Sequence, residues 1–183
     1  MNRPEALELV KDQVKNKNLI NHMLATEAVM RRLAERLGED PELWALTGLL
    51  HDVDYDQTVH TPEQHGLAGA QLLEDKGCPA ALVQAVKAHN DALGFAVETV
   101  MDKALYAVDP VTGLLVAAAL IHPERKLSAI DVDFVLNRFK EKSFARGANR
   151  RQIEGCGELG LTLEQFVGIS LTAMQNIAKE IGL

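Results

Sequence analysis

Four of the six histidines stand on apolar stretches. The full set is at positions 22, 51, 60, 65, 89 and 122. His22 lies between Ile20 and Leu24 at helical spacing. His51-Asp52 follows the apolar run Leu46 to Leu50, so the pair leaves a core face and not a solvated one. His65 has Ala68, Gly69 and Leu72 three, four and seven residues on, and His89 follows Leu82 and Val86 by seven and three. Asp109 interrupts the otherwise apolar run Ala104 to Ile121. Buried imidazoles and carboxylates are costly unless paired or coordinated. The economical arrangement is that these six side chains partner one another around metal. Imidazole and carboxylate without thiolate suit Fe, Mn, Co, Ni or Zn. One or two such divalent ions, bridged by a carboxylate in the second case, would activate a water and clamp a phosphoryl oxygen.

The elements that must position these residues are helical throughout, with no alternating strand pattern. Leu7, Val10 and Val14 mark a first helical region, and a second runs from about Asn18 to Leu37 and stops at Gly38. Asp40-Pro41 opens a third, which ends near His51-Asp52. Val53 to His60 reads as a polar loop. Thr61-Pro62-Glu63-Gln64 has the form of a capping box and predicts a helix from there to Lys76, and Pro79 opens another that ends near His89. A long helix, about Val97 to Ile121, is expected to be interrupted at Asp109-Pro110. Ser128 to Asp131 caps a helix through Lys142, Ala145 to Arg151 reads as a turn, Gly155, Gly157 and Gly160 mark a loop, and Thr162 to Gln165 caps the last helix. The expectation is an all-α, single-domain helical bundle over residues 1–183, with its core at about 18–121 and C-terminal helices from 128 to 183 packed on it.

The order His22, His51-Asp52, Asp109 resembles the HD superfamily of metal-dependent phosphohydrolases, whose signature is a His, a His-Asp pair and a distal Asp. Gly48-Leu-Leu-His-Asp-Val-Asp54 is similar to its core motif, while His65-Gly-Leu-Ala-Gly-Ala70 and Ala88-His-Asn90 resemble the two extra histidines of its dinuclear branches. The resemblance covers about Asn18 to Ala119. It implies His22, His51, Asp52 and Asp109 as ligands of one metal, and His65 and His89 as ligands of a second with Asp52 bridging. The GYP tripeptide and paired histidine of the cyclic-dinucleotide branch are absent, since Asn90 follows His89, which argues against cyclic di-GMP as the substrate.

Other residues take expected roles around that set. Asp52 is placed in the catalytic centre. Asp54 and Asp56, just past it, would orient ligand imidazoles or assist proton transfer to the leaving group. Six cations against Glu141 alone lie between Arg138 and Arg151. In that segment Lys142, Arg146 and Arg150 are candidates to hold substrate phosphate, with Lys103 as a further contact. His60 and His122 read as surface or turn histidines, and Cys78 and Cys156 as small apolar fillers or free thiols.

Composition excludes several classes. The chain of 183 residues is 47% hydrophobic and 25% charged, as globular domains are. Its net charge of −7 and its 4% aromatic content disfavour a nucleic-acid binder or membrane-surface protein. Two cysteines build no disulfide framework and fit a reducing cytosol. Residues 1–17 carry both charge signs and no apolar run, unlike a signal peptide. A membrane span over 104–121 would place Asp109 in its middle, so a core helix is the better reading. The expectation is a cytoplasmic, metal-dependent phosphohydrolase acting on a small phosphorylated metabolite or nucleotide, without nucleic acid or membrane as partner, and with a homodimer as the default assembly. The alternative is a nucleotide- or metal-binding regulatory module without turnover.

Overall fold

A computed structural model describes all residues, 1–183. The chain forms helices and no strand: α1 (Arg3–Gln13), α2 (Lys17–Leu37), α3 (Pro41–Leu50), α4 (Tyr55–Thr58), α5 (Leu67–Asp75), α6 (Ala80–Ala88), α7 (Val100–Ile121), α8 (Val132–Lys140), α9 (Arg150–Glu154), α10 (Leu163–Asn176) and α11 (Ala178–Ile181). The expected all-α class is what the structure shows. One hydrophobic cluster runs from Ala6 on α1 to Ile181 on α11, so N- and C-terminal helices share a core. Met23, Met30, Leu33, Leu105, Leu114 and Phe166 are among its fully buried side chains.

Capping chemistry sets most helix starts. Asn2 and Glu5 form a capping box on α1, Asp40 accepts from the amides of Glu42 and Leu43 at α3, and Thr162 with Gln165 closes the box on α10. Thr99 and Asp102 make a further box at the start of α7, which the sequence reading did not anticipate.

α7 is the central element and packs against α2, α3, α6, α8, α9 and α10. By length and composition it could cross a membrane, but most of it is buried inside the fold. α7 passes through Pro110 as one helix, with no break in its span. The proline lacks one amide, and the residues on both sides of it, Leu105 and Val108 before and Val111 and Leu114 after, are buried in the core.

Two other local expectations change. No helix starts at Thr61. Residues 61–66 form successive turns and α5 begins only at Leu67, after Gly66 in the left-handed conformation at φ 88°. The cap comes from elsewhere in the fold, because the Asp54 carboxylate accepts from the amides of Gly66 and Gly69 at 2.8 and 2.7 Å. The stretch read as a polar loop from Val53 in fact has Val53 and Asp54 buried, with α4 directly after them.

In the segment read as a turn, Asn149 caps the short helix α9. The preceding turn contains Ala145 at φ 43°, a conformation that needs support in a residue with a Cβ. Arg150 supplies it. Its guanidinium donates to the carbonyls of Phe139, Glu141, Phe144, Ala145 and Ala148. Arg150→Ala should therefore lower the melting temperature, with a cost of about 2–3 kcal/mol for orphaned carbonyls around a lost charged donor. The KM of any substrate should stay within twofold, and a large KM change with unchanged melting would contradict this role.

Candidate metal centre

The centre begins at the α2–α3 crossing. A Cβ on Gly48 would lie 2.8 Å from the carbonyl carbon and oxygen of Thr26 and 2.9 Å from the Glu27 nitrogen, so backbone rests on backbone there. One turn away along each helix, His22 on α2 and His51 at the end of α3 meet with their Nε2 atoms 3.2 Å apart. His65, in the turn before α5, and His89, at the end of α6, meet in the same way at 3.1 Å.

Each imidazole has its other nitrogen anchored. His51 Nδ1–H donates to the Gly48 carbonyl at 2.8 Å and His89 Nδ1–H to the Val86 carbonyl at 2.6 Å, each using a carbonyl that its helix end leaves free. His65 Nδ1–H donates to Asp54 Oδ1 at 2.9 Å. Thr112 lies 2.9 Å from His22 Nδ1, and its hydroxyl donates to the Asp109 carbonyl, so its oxygen is left to accept from His22. With Nδ1 carrying the proton in all four rings, all four Nε2 atoms offer lone pairs.

Those lone pairs converge on Asp52, whose two oxygens divide between them. Oδ2 lies 3.4 Å from His51 Nε2 and 3.6 Å from His22 Nε2, while Oδ1 lies 3.3 Å from His65 Nε2 and 3.4 Å from His89 Nε2. Asp109 Oδ1 joins the first pair, 3.0 Å from His22 and 3.8 Å from His51. Lone pairs facing each other at about 3 Å repel unless a proton or cation sits between them. Two overlapping donor sets, His22–His51–Asp52 and Asp52–His65–His89, each have their donor atoms close enough to hold one ion. The residues thus fit a divalent metal, with the anchored Nδ1 positions supplying the outer contacts such ligands use. His51, Asp52 and His89 are buried, while His22, His65 and Asp109 keep side-chain exposures of 22%, 15% and 31%. The centre therefore opens to solvent on the side of those three.

Burial opposes charge on Asp52, Asp109, His65 and His89, and mutual pairing overcomes it. Asp52 is held well below the usual carboxylate range by the surrounding histidines, and Asp109 is held low by His22 and His51. Against its own burial, His65 is pushed up to about 10 by Asp52 and Asp54, and His89 is raised by Asp52. A cation at Nε2 competes with those protons. Metal loading at neutral pH should release protons, and apparent affinity should climb as pH rises from 6.5 towards about 10, where His65 deprotonates unaided. Calorimetry in buffers of different ionisation enthalpy reads the proton count, and a pH-independent affinity would contradict this linkage.

The structure brings the six residues His22, His51, Asp52, His65, His89 and Asp109 together. It distributes the remaining candidates differently. Asp54 is 2% exposed and spends its carboxylate on His65 and on the Gly66 and Gly69 amides, so it positions a ligand and caps α5 without reaching the open face. Asp54→Ala should lower affinity at the His65–His89 position by about 10- to 100-fold, as loss of an outer contact does, while the His22–His51 position stays loaded. A metal titration that still fills two positions with wild-type affinity would overturn that assignment. Asp56, read as a catalytic candidate, is exposed and accepts from the amides of Lys15 and Asn16, where it ties the α1–α2 connection to α4. Arg150, read as a phosphate contact, has all its donors committed to carbonyls. Lys142 and Arg146 are exposed and line neither cleft beside Asp109. Lys103 does line one, next to Tyr106, Asn149 and Arg151, and pairs with Glu158 at 3.2 Å. His60 is exposed, and His122 packs edge-on against Phe134.

The sequence reading missed Gly48, Thr112 and Arg151. Gly48 inside an apolar helical run was the available signal, since glycine there weakens a helix unless something must come close. Thr112 one turn after Asp109 carried no such signal.

Fold and site together define an all-helical domain built around a His/Asp cluster able to hold divalent metal. The family model of the HD domain matches residues 19–132, more than half of the chain. The chain belongs to the HD domain family. It is 30% identical over 95 residues to ribonuclease Y 1 of Pediococcus pentosaceus, across 49% of this chain and 18% of that protein. To ribonuclease Y of Opitutus terrae it is 28% identical over 76 residues, 42% of this chain and 14% of that one. The chain thus spans under a fifth of the length of either relative. No solved structure is a significant match.

Proposed function

We propose that this protein is a metal-dependent phosphohydrolase acting on a small phosphorylated metabolite or nucleotide in the cytoplasm. One observation carries the reading: four imidazoles, each fixed in the tautomer that frees Nε2, converge on the two oxygens of a single buried carboxylate. Divalent ions held there would supply Lewis acidity toward phosphoryl oxygens and lower the pKa of water. His22, His51, Asp52 and Asp109 would hold one ion, and Asp52, His65 and His89 the other. Asp52 lends its charge to both positions and so offsets the repulsion between two cations. The buried His51 and His89 wall off the rear, so substrate enters past Asp109, His22 and His65. On the same exposed stripe of α7 as Asp109, Lys103 and Tyr106 line a cleft of about 550 Å³ with Asp91, Asn149, Arg151 and Glu158, where Lys103 pairs with Glu158 while Arg151 forms no ion pair and is available to an anionic group.

The test is metal content of protein purified without an affinity tag and without oxygen, followed by a phosphomonoester, phosphodiester and nucleotide screen. About two ions per chain with turnover supports the reading. Nucleotide protection against thermal unfolding without hydrolysis would favour a binding module instead. The likeness to two ribonucleases Y favours a second reading, hydrolysis of RNA phosphodiesters. Degradation of short RNA at a kcat/KM above that for every small phosphoester would select it.

A further inference from the structure

α7 shows solvent only a narrow stripe, and Asp109 sits in its middle. On the C-terminal side the stripe continues as Gly113, Val116 and Leu120 at spacings of four, three and four, all on one helix face. This half of the stripe floors a cleft of about 540 Å³, a size typical of small-molecule sites. His22 lines the same cleft, so the metal centre and the cleft share a wall. Ile181 and Leu183 form the opposite wall, held by Asn21 Nδ2 donating to the Ile181 carbonyl at 3.1 Å. The far end is apolar and open, with Leu120 44% exposed.

Gly113 is the telling residue. It stands in the interior of a long helix, where glycine is unfavourable. Its backbone does not require glycine, since its φ is not positive, and its packing does not either: a Cβ there would meet nothing within 4 Å. Gly48, whose Cβ would strike Thr26, is the opposite case. What Gly113 provides is the absence of a side chain one turn from Asp109, between the metal centre and the apolar end of the cleft.

Resting on the phosphohydrolase reading, we propose that the substrate is a phosphoester bearing an extended apolar group, which lies over Gly113 and against Val116, Leu120 and Ile181 while its phosphate sits at Asp109 and His22. In hydrolysis the ester P–O bond breaks, the oxygen of water joins phosphorus, and a water proton passes to the departing apolar alcohol. The polar cleft on the Lys103–Arg151 side then faces any second polar group on the same phosphate.

The test uses the full chain loaded with Mn²⁺ and a series of non-hydrolysable alkylphosphonates, from methyl through butyl to octyl, with inorganic phosphate as the smallest probe. Calorimetry reads the dissociation constant of each. For wild-type protein it should fall by about fourfold per added methylene, the gain from burying one such group. In Gly113→Leu, which fills the cleft floor, and in Leu120→Asp, which makes its end polar, that dependence should flatten to less than about 1.5-fold. Thermal melting checks that both variants fold. A dissociation constant indifferent to chain length in wild-type protein would overturn the proposal, as would a dependence that survives in both variants. Failure of the underlying reading looks different: no member of the series, inorganic phosphate included, would bind the loaded protein, and that result would overturn both.

Discussion

Asp52→Asn is expected to lose both metal ions at once and to lower turnover by at least about 10²–10³-fold, the effect of deleting a single preorganised group at a reaction centre. The side chain keeps its size but gives up the one charge that faces four imidazoles. Its oxygens lie 3.3 to 3.6 Å from four Nε2 atoms, two on each side. An amide in that place presents an N–H₂ group to one histidine pair, and only its single oxygen can serve as a ligand. The helices should persist, because the Asp52 carbonyl still accepts from the Tyr55 amide and the core does not involve the carboxylate. Elemental analysis, far-UV circular dichroism and kcat/KM against the best substrate make the three readouts. Two ions per chain in the variant, with wild-type turnover, would show that Asp52 is not the bridge.

The second large effect is remote from the reacting atoms. Gly48→Ala adds one methyl group 2.8 Å from the Thr26 carbonyl, and backbone cannot yield as a flexible side chain can. Overpacking of this kind costs about 1–3 kcal/mol. In a chain of this size that corresponds to a melting temperature lower by about 3–10 °C. The consequence for the site is greater than for the fold. Pushing α3 off α2 separates His51 from His22, whose 3.2 Å meeting depends on that crossing. Affinity at the His22–His51 position should fall more than at the His65–His89 position, which hangs on α5 and α6. Gly113→Ala is the control, and it should raise the melting temperature because its methyl group enters open space in a helix. A Gly48→Ala protein that melts and loads metal as the wild type does would remove the crossing from this account.

The ingredients of the centre were legible in the chain because they rest on local rules. Polar residues on apolar helical faces need partners, so His22, His51, Asp52, His65, His89 and Asp109 stood out as a set, though each was weak taken singly. Helix starts at Asp40 and Thr162 were legible for the same reason, since cap and helix lie within four residues of each other. Thr61 failed this logic. Its local capping pattern lost to Asp54, which reaches across from the preceding turn to take the Gly66 and Gly69 amides.

Residue type and periodicity, together with the resemblance of the order His22, His51-Asp52, Asp109 to the HD superfamily, thus pointed to the all-helical class, the six side chains at the centre and their suitability for divalent metal. Only the tertiary structure decided which nitrogen of each ring faces inward, how Asp52 shares its two oxygens, that Arg150 supports a turn instead of a substrate, and where the clefts lie along α7. The reason is distance in the chain. Thr112 sets the tautomer of His22 from 90 residues away, and Gly48 brings α3 against Thr26 across a turn. Contacts of that kind depend on how helices cross, and helical periodicity specifies which face is buried but not what it meets.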